Sequence, residues 1–261
     1  VRALLGLVNL NKGNISIMNY KIPQEVKKAK RYIGVVPQET NLDIELNVYE
    51  NLLIYGNLFS IPKEILKQRI HKLLEDMELL NKINENVEHL SGGMKRKLML
   101  AKSLINNPKL IILDEPTVGL DPEIRKHIWD KIINLKSEGK TIILTTHYLD
   151  EAQSLCDKVF IMDKGNIITS GNPETLIKQY LPEYVLEIHS KIQLPELKNT
   201  KKIEFENYTI LFTDNPKEDK NLLHKKGIKN IKTRPTNLED LFLFLTGKKL
   251  EENKNGMDSN I

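Results

Sequence analysis

Two short stretches hold the residue types that could do chemistry. Leu110-Ile111-Ile112-Leu113-Asp114-Glu115-Pro116 is an unbroken apolar run that ends in two carboxylates. Such a run is expected to form a strand buried on both faces of a parallel sheet, with Asp114 and Glu115 just past its C-terminal end. That edge is where open α/β sheets bind ligands. One carboxylate there can hold Mg2+, which demands oxygen ligands, while its neighbour orients or deprotonates a water. Upstream, Leu90-Ser91-Gly92-Gly93-Met94-Lys95-Arg96-Lys97 ends a polar segment and opens a helix. Freed backbone N–H groups at a helix start, approached closely through Gly92 and Gly93, suit a phosphate, and Ser91 can add a hydroxyl donor. An isolated Asp-Glu pair is more often a solvated loop or a helix cap. Its place after an apolar strand and before Pro116-Thr117-Val118-Gly119-Leu120-Asp121 reverses that balance.

The elements that must position these residues are legible from periodicity. Leu98, Leu100, Ala101, Leu104 and Ile105 share roughly one face of the helix that Ser91 opens. Leu4, Leu5, Leu7 and Val8 read as the end of a core helix, followed by a turn at Asn11-Lys12-Gly13, a strand at 14–18 and a lysine-rich loop. Residues 31–36 read as a strand leading to Gln38, and 46–88 as helical, with Val48, Leu52 and Tyr55 on one helix and Ile65, Leu66, Ile70, Leu73, Leu74 and Met77 on the next. A helix is expected over 122–137, with Trp129, Ile132 and Ile133 as its core face and Gly139 as its stop. A buried strand at 141–144 then puts Thr145-Thr146-His147 at its C-terminal edge. A short helix at 150–156, a strand at 158–162 and a tight turn into 167–170 complete an alternating pattern, which specifies an α/β domain with a mainly parallel sheet. Near Pro182 the composition shifts to strands at 184–189, 202–205, 208–213 and 230–234 and helices at 217–226 and 238–245. That is a small α+β domain of ferredoxin-like type.

Those motifs, in this order and spacing, resemble the ATP-binding subunits of ATP-binding cassette (ABC) transporters. Ser91-Gly92-Gly93 match the family's signature motif, Asp114 its Walker B aspartate, Glu115 its catalytic glutamate, and Gly119-Leu120-Asp121 its D-loop. His147 matches the switch histidine and Gln38 the Q-loop glutamine. Taken singly, a glutamine after a strand is ordinarily a polar loop residue and a lone histidine a surface one. The run Leu238-Glu239-Asp240-Leu241-Phe242 to Leu245-Thr246-Gly247 resembles the end of the drug- and polysaccharide-exporter branch. Met94 in place of glutamine is familiar in that branch, and Val118 stands where the D-loop usually has serine.

The resemblance implies a P-loop NTPase-like ABC ATPase core over 1–180 with a helical subdomain at about 46–105, a small C-terminal α+β domain over 183–247, and a polar tail at 248–261 that is expected to be disordered. ABC proteins work as head-to-tail pairs, so Ser91, Gly92 and Gly93 would contact the γ-phosphate of an ATP held mainly by a partner subunit. Asp114, with Gln38, would hold Mg2+; Glu115 would polarise the attacking water; His147 would contact the γ-phosphate; and Asp121 would line the nucleotide site. The helical subdomain and the Q-loop would receive a coupling helix from an ABC-2 type membrane permease, placing the chain peripherally at the cytoplasmic membrane face. No G-x-x-x-x-G-K-[ST] occurs in the sequence, which is expected to begin just after that Walker A loop. Two other readings stay open: a non-hydrolysing binding subunit or remnant, and a soluble ABC ATPase of DNA repair or translation.

Composition sets the remaining bounds. The 261 residues suffice for one large domain and a small one. The formal charge of +4 is a near-cancellation of 39 basic and 35 acidic residues, so nothing calls for nucleic acid as a partner. It is compatible with an anionic membrane surface and with plain solubility. Cys156, the single cysteine, has no companion for a disulfide or a zinc site and reads as a small apolar residue in a reducing compartment. No stretch approaches the ~18 apolar residues that a bilayer span needs.

Overall fold

The computed structural model describes residues 1–189 and 201–247. The tail expected at 248–261 lies outside the described residues. Contacts divide the chain into two compact units, Val1–His147 and Tyr148–Ile261.

The first unit opens with a single helical turn. Gly6 N–H bonds the Ala3 carbonyl at 3.1 Å and Leu7 N–H that of Arg2 at 3.0 Å, with Gly6 at φ 66°. This double closure through a left-handed glycine is how helices end. A hairpin follows, β1 (Ile15–Ile17) with β2 (Tyr20–Ile22), in the stretch expected to be strand and then loop. Its two-residue turn needs positive φ at both centres, and Met18 and Asn19 supply 50° and 66°. The short α1 (Val26–Ala29) leads to β3 (Ile33–Val36), then α2 (Val48–Asn57), α3 (Lys63–Asp76), α4 (Gly92–Leu104), β4 (Leu110–Asp114), α5 (Pro122–Ser137) and β5 (Thr141–Thr145).

A parallel three-stranded sheet in the order β3-β4-β5 organises this unit. Ile111, Ile112 and Leu113 of the central strand are wholly buried, which at about 1.5–3 kcal/mol per side chain anchors the strand that carries the carboxylates. β3 meets α4 with no side chain between them: a Cβ on Gly34 would fall 2.2 Å from the Ser103 carbonyl oxygen and 3.0 Å from Pro108. The helices also carry their own start signals. Asn47 and Glu50 form a capping box on α2, and Ser91 and Asp121 cap α4 and α5.

Two local expectations are corrected. β5 is an edge strand with Thr141 and Ile143 exposed, not a buried strand, because among the described residues only β4 pairs with it. On α5 the buried face is Ile128, Ile132 and Leu135; Ile133 is exposed and Trp129 half-buried, so the apolar stripe is rotated from the one expected.

The second unit contains α6 (Leu149–Leu155), the hairpin β6 (Val159–Asp163) and β7 (Asn166–Gly171), α7 (Pro173–Tyr180), β8 (Tyr184–Ile188), β9 (Lys201–Glu204), β10 (Thr209–Thr213), α8 (Pro216–Lys225), β11 (Ile231–Pro235) and α9 (Leu238–Thr246). Four strands form an antiparallel sheet in the order β11-β8-β10-β9, with α8 crossing from β10 to β11. This is the strand order of the expected ferredoxin-like sheet; the link from β8 to β9 passes through residues outside those described. One core joins Ala152, Val159, Ile161 and Leu176 to Val185, Phe212, Leu238 and Leu241. The contacts therefore divide the chain at His147, ahead of the composition shift near Pro182. Asp240, buried at N3 of α9, closes that helix's capping box and takes both terminal nitrogens of Arg234, at 2.6 and 2.8 Å.

Candidate functional site

Register places the expected chemistry at one edge. β3 and β4 pair Val36 with Leu113, and β4 and β5 pair Asp114 with Thr145. Gln38, Asp114, Glu115 and His147 therefore lie at or just past the C-terminal ends of three adjacent parallel strands. Asp114 accepts a short hydrogen bond from the Thr145 hydroxyl across the β4–β5 pair. Glu115 sits just beyond the strand at φ 49°, the left-handed region that a side chain other than glycine rarely adopts. Its N–H bonds the Thr145 carbonyl at 3.0 Å, and its own carbonyl accepts Arg96 Nη2 at 2.7 Å. That conformation costs roughly 1–2 kcal/mol and persists because bonds on both peptide groups fix it.

The result is an aimed carboxylate. Glu115 Oε2 lies 2.9 Å from His147 Nδ1 and accepts the His147 N–H at 3.4 Å, its side chain 19% exposed against 52% for the histidine. Gln38 is exposed, and its side chain makes no hydrogen bond among the described residues. It stands in a loop held at several points. Arg96 Nη1 bonds the Pro37 carbonyl at 2.8 Å, Lys102 Nζ that of Asn41 at 2.7 Å, and buried Asn51 bonds both the N–H and the carbonyl of Asp43 at 2.9 Å.

Ser91, Gly92 and Gly93 form the start of α4, where the Ser91 hydroxyl accepts the Met94 N–H at 3.2 Å. Ser91 and Gly92 are exposed. A Cβ on Gly92 would meet nothing within 4 Å, whereas one on Gly93 would lie 3.0 Å from Ile124. Glycine at 93 thus lets α4 start directly against the first turn of α5, whose cap is Asp121, its carboxylate accepting the Ile124 N–H at 2.9 Å. Two clusters result: Gln38, Asp114, Glu115 and His147 at the strand ends, and Ser91, Gly92, Gly93 and Asp121 at two adjoining helix starts.

The donor set fits a hard cation beside phosphate. Asp114 has one oxygen bonded by Thr145 and a second open to a metal, and Gln38 offers an amide oxygen. Among the described residues no group of three or more His, Cys, Asp or Glu could hold a metal alone. Water and phosphate would complete the shell, as is usual for Mg2+. Sequence reasoning missed Arg96, Asn51, Lys102 and the Thr145 hydroxyl. The signal for Arg96 was its place on the i, i+4, i+8 row with Leu100 and Leu104, a cation on a buried face.

A parallel sheet with paired carboxylates at its strand ends, beside a helix opened by serine and two glycines, is the layout of a nucleotide-binding α/β protein. The comparisons define the class further. The family model described as ABC transporter matches residues 1–118. The Nod factor export ATP-binding protein I of Rhizobium johnstonii is 40% identical over 256 residues, covering 96% of this chain and 82% of that protein. Among solved structures, cbiO1 of Clostridium perfringens, part of the ABC transporter complex cbiONQ, superposes with a TM-score of 0.62 at 29% identity, over 68% of this chain and 73% of that one. The ATP-binding cassette MJ0796, in a dimeric post-hydrolysis state with ADP and Pi, gives 0.59 at 25% identity, over 66% and 78%. The chain belongs to the ABC transporter family, whose ATP-binding subunits are ATPases.

Proposed function

We propose that this subunit energises an exporter through a separate permease of the ABC-2 type, and that hydrolysis is carried by Glu115. The observation behind the second claim is the Glu115 geometry: a backbone pinned left-handed so that its carboxylate meets His147 beside Asp114. Export is supported by the likeness to the Nod factor proteins along nearly the whole chain. Among the described residues no helix is long and apolar enough to cross a membrane.

In this reading Glu115 accepts a proton from the attacking water and His147 holds the carboxylate in position for it. Asp114 and Gln38 supply oxygens to Mg2+, which when bound neutralises phosphate charge. Ser91, Gly92 and Gly93 present a hydroxyl and backbone N–H groups to the γ-phosphate of a nucleotide held by a second copy, with Asp121 at the same seam. Such catalysis is positioning and charge stabilisation more than covalent chemistry. The helices over 46–105 serve as the surface for the permease, the chain lies at the cytoplasmic membrane face, and the C-terminal unit is a separate module.

Glu115→Gln tests the central claim. In the full-length protein assembled with its permease, ATP turnover should fall by about 100-fold or more, the scale of losing a general base, while ATP still binds and holds two subunits together. Turnover unchanged from wild type would remove Glu115 from catalysis.

A further inference from the structure

Arg96 is a charged side chain that touches both the Gln38 loop and the Glu115 peptide. It is 7% exposed, projects from the second turn of α4, and divides its guanidinium between the Pro37 carbonyl at 2.8 Å and the Glu115 carbonyl at 2.7 Å. Pro37 directly precedes Gln38. The Glu115 carbonyl is the half of its strained backbone that β5 does not hold, the N–H half being bonded to Thr145. A guanidinium suits this task because its planar fork presents several donors in fixed directions and stays charged when buried.

From this geometry we infer that Arg96 is a positioning residue for hydrolysis: through it the helix that begins at Ser91 sets both the orientation of the Glu115 carboxylate and the place of Gln38. The inference rests on the catalytic role proposed for Glu115. Lys102, a turn and a half farther along α4, reinforces the second part by bonding the Asn41 carbonyl, so that α4 grips the loop on both sides of Gln38. Any rotation of α4 must carry the two carbonyls with it or break bonds to a buried charge. The helix whose start faces the second copy's nucleotide and the carboxylate that takes the proton from water at the strand ends are then one mechanical unit.

Arg96→Lys keeps the charge but replaces a fork by a point. In the full-length protein with its permease, it should lower kcat for ATP at least 10-fold while KM for ATP moves less than twofold and the thermal midpoint stays within a few degrees. In a Glu115→Gln background the same substitution should add nothing to the loss. A merely structural arginine would instead lower the thermal midpoint and leave kcat intact at temperatures where the variant is folded; that result overturns the inference. Arg96→Gln, assayed at low temperature, repeats the comparison if the lysine variant unfolds, and failure of both to fold also overturns it. Normal kcat in Arg96→Lys alongside an inactive Glu115→Gln removes only this inference. Normal turnover in Glu115→Gln removes the proposed role of Glu115 itself.

Discussion

Thr145 contributes twice to the strand-end site, its carbonyl taking the Glu115 N–H and its hydroxyl bonding Asp114. Thr145→Val keeps the shape and the first bond but deletes the second. The expected outcome is a several-fold rise in the Mg2+ concentration for half-maximal ATPase, with a stability change of about 1 kcal/mol, the usual worth of one hydrogen bond. A titration of activity against Mg2+ that superposes on wild type would refute it. Asp121, whose carboxylate accepts the Ile124 N–H, should behave as a cap first. Asp121→Ala should cost about 1 kcal/mol of stability, measured by urea unfolding. The paired carboxylates were legible because an apolar run ending in acids has few other uses. The Thr145 hydroxyl was not, because only the pairing of β4 with β5 brings it to Asp114.

At the scale of elements, α4 and α5 meet the turn just past α3 through one ionic knot. Lys97 Nζ bonds Glu78 Oε2 at 2.7 Å, and His127 Nδ1 lies 3.5 Å from the same oxygen. His127 Nε2 is buried and makes no hydrogen bond. Burial first, and then Lys97, push the His127 pKa below the ordinary 6.5, Lys131 adding to this while Glu78 and Asp130 oppose it. The Glu78 carboxyl is itself held low, chiefly by Lys97. An unfolded histidine then takes its proton before the folded one, so the contribution of His127 is full above pH 6.5 and is lost as pH falls through the folded value. Thermal midpoints should drop more between pH 7 and pH 5.5 in wild type than in His127→Gln; parallel curves would contradict this. Sequence periodicity found these helices but misassigned the buried face of α5, since Trp129 and Ile133 fit an apolar stripe as well as Ile128 and Leu135 do. It also passed over α7, although Asn172-Pro173 is a sound helix start, with the Asn172 side chain accepting the Thr175 N–H.

Over the whole molecule, the boundary was the hardest feature to read. Composition changes near Pro182, but contacts join α6 and the β6–β7 hairpin to the antiparallel sheet through Ala152, Val159, Phe212 and Leu241. Composition reports what a segment contains and not what it packs on. Within that unit, Asp240 is 1% exposed and holds Arg234, which also bonds Glu187 at 2.7 Å. Asp240→Ala should destabilise the second unit by about 2–3 kcal/mol, the range for bonds to charged groups, visible as an earlier unfolding step in calorimetry. An unaltered calorimetric profile would count against the pair as a stabilising contact. Gly34 has a consequence of another kind. With strand backbone seated on helix backbone at that point, there is no pliable layer of side chains to absorb a push, and close-packed protein interiors yield little. A nudge delivered to the far end of α4 must therefore arrive at the sheet almost undiminished, as through a stiff lever resting on a hard fulcrum.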